Sequence, residues 1–104
     1  MVRRSFDRAT LTPLREMRSE DTLALLAIHC KPDSSYQPVK EPTTRRWHAH
    51  TSGGEFEILT TGTKWYDTRA KVGGGGAIDL AMHILRLPFV DAVRILVDCD
   101  RPRG

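Results

Sequence analysis

A chain of 104 residues with a formal charge of +3, 39% hydrophobic and 28% charged residues has the composition of one globular domain around a single modest core. No apolar run approaches the roughly 20 residues needed to cross a bilayer, and no secretory apolar region follows Met1-Val2-Arg3-Arg4, so a cytoplasmic location is expected and a membrane span is excluded. Cys30 and Cys99 are too few and too far apart for a disulfide framework and read as reduced small hydrophobes.

Residues 1–18 carry Arg3, Arg4, Arg8, Arg15 and Arg18 without a sustained period, and read as a basic arm with a short helix over Leu11 to Met17, started by Thr12-Pro13. A short basic tail, residues 99–104, carries Arg101 and Arg103. These ends are either phosphate-seeking arms or solvated tails. The domain proper, residues 19–98, opens with Ser19 as an N-cap, Glu20 and Asp21 in the first turn, and Leu23, Leu26 and Ala27 at helical spacing, predicting a helix near 20–30. Pro32, Pro38 and Pro42, with Asp33, Ser34 and Ser35, predict an exposed loop from Lys31 to Thr44.

Arg45 to His50, Glu55 to Thr60 and Lys64 to Asp67 are rich in aromatic and β-branched residues, and Ser52-Gly53-Gly54 and Thr61-Gly62-Thr63 separate them. They predict a three-stranded antiparallel meander. Glu55 and Glu57 alternate with Phe56 and Ile58, so one sheet face should be buried and the other wet. By the same alternation Trp65 and Tyr66 point to opposite faces, with Trp65 expected inside. After Gly73 to Gly76, the stripe Ile78, Ala81, Met82 and Leu85 predicts a helix ended by Leu87-Pro88, and Phe89, Ala92, Val93, Leu96 and Val97 predict a second. Both helices are expected to pack on the sheet. The fold class is therefore α+β: a leading helix, a three-stranded antiparallel sheet and two C-terminal helices.

Two features bear on function. The glycines Gly73, Gly74, Gly75 and Gly76 precede a helix, where free backbone amides and the positive end of the dipole suit a phosphate; a hinge that lets the helix fold back is the other reading. Neither the Lys-Ser/Thr of a P-loop nor GxGxxG spacing is present, which speaks against ATP or NAD and leaves no cofactor expected. Trp47, Trp65 and Tyr66 stand among Arg45, Arg46, Lys64, Arg69 and Lys71, the mixture of aromatic and cationic residues with which a sheet stacks and neutralises a single strand. In the alternative, one tryptophan is core and the charges are ordinary exposed side chains.

His48 and His50 share one face of a strand, and His29, Cys30, His83 and Cys99 are the other soft ligands, but the second closely spaced pair of a structural zinc site is missing, so no metal is expected. Asp67, Asp79 and Asp91 are spread singly with no nucleophile and base beside them, so no enzymatic activity is expected.

The run KWYDTRAKVGGGGAIDLAMHILRLPFVDAVRIL, from Lys64 to Leu96, places strand, glycine turn, helix and an F-x-x-A-V-x-x-L helix in an order that resembles the N-terminal domain of bacterial-type DNA primases, especially those of plasmids and other mobile elements. The resemblance extends over roughly residues 20–98. In that family the domain is a zinc ribbon that contacts single-stranded template, and a separate Toprim domain carries the catalytic carboxylates. Around Trp47-His48-Ala49-His50 and from Trp65 to Arg69, where the family places zinc cysteines, this chain has none, so the resemblance implies a zinc-free variant. A chain ending at Gly104 also leaves no room for the Toprim domain. The resulting expectation is a single-stranded DNA-binding module in plasmid or mobile-element DNA replication or transfer, working with a primase, helicase or relaxase. Its expected contacts are Lys64, Tyr66, Arg69, Lys71 and the amides of Gly73 to Gly76, then Arg45, Arg46 and Trp47. The alternative is a protein–protein interaction or regulatory module that kept the primase-like fold without DNA binding.

Overall fold

The computed structural model describes residues 8–100, so Arg3, Arg4, Arg101 and Arg103 lie outside the described residues. Among the described residues the order is α1 (Arg8–Arg15), α2 (Ser19–Leu26), β1 (His29–Pro32), β2 (Arg45–Thr51), β3 (Gly54–Thr61), β4 (Lys64–Asp67), β5 (Val72–Gly75), α3 (Ala77–Leu85) and α4 (Phe89–Asp100). The α+β class is as expected, but the sheet has five strands and the helices number four. All strands pair antiparallel in the order β1-β2-β3-β4-β5. No helix is long and apolar enough to cross a membrane among the described residues.

The predicted meander corresponds to β2, β3 and β4. Its register sets Trp47 opposite Ile58, Ala49 opposite Phe56 and Thr60 opposite Trp65, which collects the apolar side chains on one face. Phe56, Ile58 and Trp65 are buried there and pack with Leu23 of α2 and with Leu80 and Ile84 of α3. The opposite face of α3 carries Ala77, Ile78 and Ala81 into a second cluster with Leu14 of α1 and Ala92, Val93 and Leu96 of α4. Helix α3 is thus the middle layer. The expectation that both C-terminal helices lie on the sheet is corrected: α4 packs on α3 and α1, because the apolar stripe of α3 wraps two of its sides. Leu23, Ile58, Leu80, Ile84, Val93 and Leu96 are fully buried, each contributing about 1.5–3 kcal/mol of hydrophobic stabilisation.

Segment 8–18, read as an arm, contributes buried Leu14 and the partly buried Leu11 and Met17 to the core. Its helix runs through Pro13 and ends at Arg15. The next helix stops at Leu26, four residues short of the predicted end, since Ala27 is already extended and Cys30 pairs with Ala49 in β1. Ser19 is not the N-cap: Arg18 takes that place, the Ser19 amide donates to the Gly62 carbonyl at 2.8 Å, and the Ser19 hydroxyl is buried without a hydrogen-bond partner.

Strand β5 pairs with β4, and at Gly73 and Gly74 neighbouring side chains occupy the space of the missing Cβ atoms, while Gly75 faces open space. A Cβ on Gly74 would lie 1.8 Å from Asp79 Oδ2 and 2.9 Å from the Trp65 indole. The C-terminus of α3 is closed by Arg86 in the left-handed conformation (φ 54°) with its amide on the Met82 carbonyl, and Pro88 follows. The β2–β3 turn docks there: the Thr51 hydroxyl donates to the Ile84 carbonyl, and Arg86 Nε donates to the Gly53 carbonyl at 2.8 Å.

Candidate nucleic-acid interface

Alternation along the strands places His29, Lys31, Arg46, His48, His50, Glu55, Glu57, Leu59, Lys64 and Tyr66 on the sheet face away from the helices. Tyr66 is 41% exposed and Trp65 5%, as alternation predicted. The Tyr66 ring lies between Leu59, its partner on β3, and Gly73, its partner on β5, where an added Cβ would stand 3.0 Å from Tyr66 Cδ1.

Loop 33–44 rises beside this face and is fastened by Asp33. Its carboxylate accepts from Arg46 Nε at 2.9 Å and Nη2 at 2.8 Å, meets His48 Nε2 at 3.0 Å, and accepts from the Ser35 amide at 2.9 Å. The Ser35 hydroxyl, the His48 ring, the Ser35 amide and the Arg46 guanidinium hold the Asp33 carboxyl well below its ordinary range, against a small opposing effect of desolvation. The Arg46 guanidinium lies 5.1 Å from the Tyr36 ring centroid, and the Thr44 and Thr61 hydroxyls share a hydrogen bond of 2.7 Å at the far end of the loop. Between loop and sheet runs an open groove of about 480 Å³ lined by Tyr36, Val39, Lys40, Leu59, Lys64 and Tyr66, among others. Its floor and wall are aromatic and aliphatic. Lys40 and Lys64 have no salt-bridge or hydrogen-bond partner for their ammonium groups among the described residues.

Arg69 and Lys71 are exposed on the β4–β5 turn, which Asp67 shapes from beneath. Asp67 Oδ1 accepts from the amides of Arg69 (2.9 Å) and Ala70 (3.0 Å), Oδ2 meets His83 Nε2 at 2.7 Å, and Lys71 closes the turn in the left-handed conformation (φ 58°). Burial raises the Asp67 carboxyl, but hydrogen bonds from Ala70, His83 and Arg69 outweigh it, so its pKa lies below the ordinary value. The His83 ring is stacked at 4.9 Å on Trp65 and edge-on at 5.6 Å to Phe56. Both aspartate–histidine pairs, Asp67–His83 and Asp33–His48, thereby hold a turn or loop in place.

The structure gathers Lys64, Tyr66 and Arg46 on one face, with Arg69 and Lys71 at its margin, but Arg46 is committed to Asp33. Trp47 stands on the other face, half-buried, with its indole N–H donated to Thr60 Oγ1 at 3.0 Å, and Arg45 shares that side of β2. The glycine amides are also largely engaged. Gly75 donates to Asp79 Oδ2 at 3.2 Å and Gly76 to the Thr63 carbonyl at 2.8 Å, while Gly73 and Gly74 lie in the edge strand β5, whose pairing with β4 engages alternate amides. The Asp79 carboxylate, in the first turn of α3, thus takes the Gly75 amide, one of the donors expected to meet a phosphate. Tyr36, Val39 and Lys40 were missed because loop 31–44 reads as a simple connection; the signal was Asp33-Ser34-Ser35, an Asx-turn sequence that fixes the start of the loop.

Among the described residues no three His, Cys, Asp or Glu side chains are grouped to hold a metal ion. Cys30 packs on the inner face, where burial pushes its thiol up. Comparison with protein-family models, curated proteins and solved structures gives no match.

Proposed function

We propose that the solvent face of the sheet binds single-stranded DNA, as a module of the primase template-recognition kind serving plasmid or mobile-element replication or transfer. The observation that carries this reading is the groove between loop 33–44 and β3–β4, where two tyrosines and two aliphatic side chains lie beside the uncommitted ammonium groups of Lys40 and Lys64. Bases stack on exposed aromatic rings whatever their identity, and a cation beside the ring neutralises the phosphate that follows. An open groove on a sheet suits a flexible strand, and among the described residues no helix stands on this face to enter a major groove of duplex.

Fluorescence anisotropy of a labelled single-stranded oligonucleotide of about 12 nucleotides, with a duplex control and a salt series, tests the proposal. Saturable binding that weakens with salt, prefers the single strand, and is lost in Tyr66→Ala/Lys64→Ala supports it. No binding at low salt overturns it. A second reading, a protein-docking module, is favoured by Val39, which is 90% exposed on the groove wall, and by the carboxylates of Glu41, Glu55 and Glu57, which interrupt the positive charge of the face.

A further inference from the structure

At the other end of the same face, His29, Lys31, His48, His50, Glu55 and Arg69 line a pocket of about 270 Å³. It is built by register. His29 stands opposite His50 and Lys31 opposite His48 on β1 and β2, while His50 stands opposite Glu55 on β3. The β4–β5 turn brings Arg69 over from the far side, because Thr68 is fastened to β3: its amide donates to the Glu57 carbonyl at 3.1 Å, and its hydroxyl bonds the Glu57 carboxylate.

Two cations of this pocket, Lys31 and Arg69, have no counter-charge among the described residues, like Lys64 in the groove and unlike Arg46. Arg46 is consumed by Asp33, and the two nearby imidazoles have carboxylates of their own, His48 with Asp33 at 3.0 Å and His50 with Glu55 at 3.7 Å. Lys31 and Arg69 make no side-chain hydrogen bond or salt bridge among the described residues, and neither does His29. Glu55 is the one carboxylate among the lining residues, and its side chain is 77% exposed to solvent. A recess lined by an unpaired ammonium, an unpaired guanidinium and imidazole rings, with a single, largely solvent-exposed carboxylate among its lining residues, is suited to an oxyanion with several acceptor oxygens.

We propose that this pocket binds a phosphate group. The inference deepens the single-strand reading, on which it rests for the identity of its natural ligand. Leu59 lies four residues along β3 from Glu55, about 13 Å at the rise of a strand, so one strand lying across the face can reach both places. The groove then holds bases and the pocket holds a phosphate, either an internal diester or a terminal monoester.

The test is an NMR titration of the isotope-labelled full chain with inorganic phosphate, at fixed pH and constant ionic strength. The ring signals of His29, His48 and His50 are expected to shift saturably, while those of His83, stacked beneath the sheet on Trp65, stay in place. The Lys31→Ala/Arg69→Ala variant, altered only at exposed positions, should keep the wild-type spectrum elsewhere and lose the saturable shift. Linear shifts, or saturable shifts that survive in the variant, overturn the phosphate pocket even if oligonucleotides bind the groove. Saturable shifts in a protein that binds no oligonucleotide uphold the pocket and remove the single-strand reading. Oligonucleotides with and without a 5′ or 3′ terminal phosphate separate the two sources: a gain of about fivefold or more in affinity assigns the pocket to a strand end, and equal affinity, lowered in the variant, assigns it to an internal diester.

Discussion

Replacing Asp67 with alanine removes the acceptor that holds the β4–β5 turn to helix α3. Three donors lose their partner together: the amides of Arg69 and Ala70 and the Nε2 of His83. The first two sit in an exposed turn and regain water, so their loss is cheap. The third does not, since the Asp67 side chain is 3% exposed, the His83 side chain 21%, and the imidazole is walled by Trp65 and Phe56. Charge-assisted hydrogen bonds contribute about 1.5–3 kcal/mol each, and breaking a buried pair costs about 3–5 kcal/mol, so Asp67→Ala should destabilise by about 3 kcal/mol. With a urea m-value of about 2 kcal/mol per molar, the unfolding midpoint falls by about 1.5 M with m unchanged. Because the folded-state pKa of Asp67 is depressed, its contribution is present above the unfolded-state value near 3.8 and is lost as pH falls through the folded value. The gap between wild type and variant should therefore be full at pH 7 and narrow below pH 4. A gap under about 1 kcal/mol at pH 7, or one that widens in acid, would refute the reasoning.

Gly74→Ala should destabilise by about 1–3 kcal/mol in thermal or urea unfolding, since its Cβ meets both Asp79 Oδ2 and the Trp65 ring. In an Asp79→Ala background the cost should shrink, leaving only the indole contact; an unchanged cost would show that the carboxylate is not the obstacle. Asp33→Ala frees Arg46, His48 and Ser35 together, so limited proteolysis should cut within residues 33–44 faster than in wild type while the core stays intact. Equal cleavage rates would mean that the loop is held by Tyr36 and the Thr44–Thr61 contact instead.

Much of this architecture was legible because its residues obey one period at a time. The alternation of Phe56 and Ile58 with Glu55 and Glu57 oriented the sheet, and the opposite facing of Trp65 and Tyr66 followed from it. The strands that escaped notice were those whose formation depends on a neighbour. His29–Pro32 has no apolar alternation and is ordered by pairing with β2, while Val72–Gly75 has almost no side chains and is ordered by what lies over it, the Tyr66 ring, the Trp65 indole and the Asp79 carboxylate. The glycines looked like a phosphate cradle because a sequence shows that Cβ atoms are missing and not what fills their space. Trp47 looked like a stacking platform until register placed it opposite Ile58 on the inner face. The groove itself joins residues 36–40 to residues 59–66 through the Asp33 latch, a long-range arrangement with no local periodic signature.

The central claim, that the solvent face of the sheet receives a single strand, is tested most directly by mapping amide chemical shifts of the full chain on titration with a short oligothymidylate. The account predicts that the largest changes fall on residues 36–41 and 59–66, with a second set at residues 29–31, 48–50 and 69, and that α4 is unaffected. Changes centred on α1 or α4, or no changes at all, would contradict it.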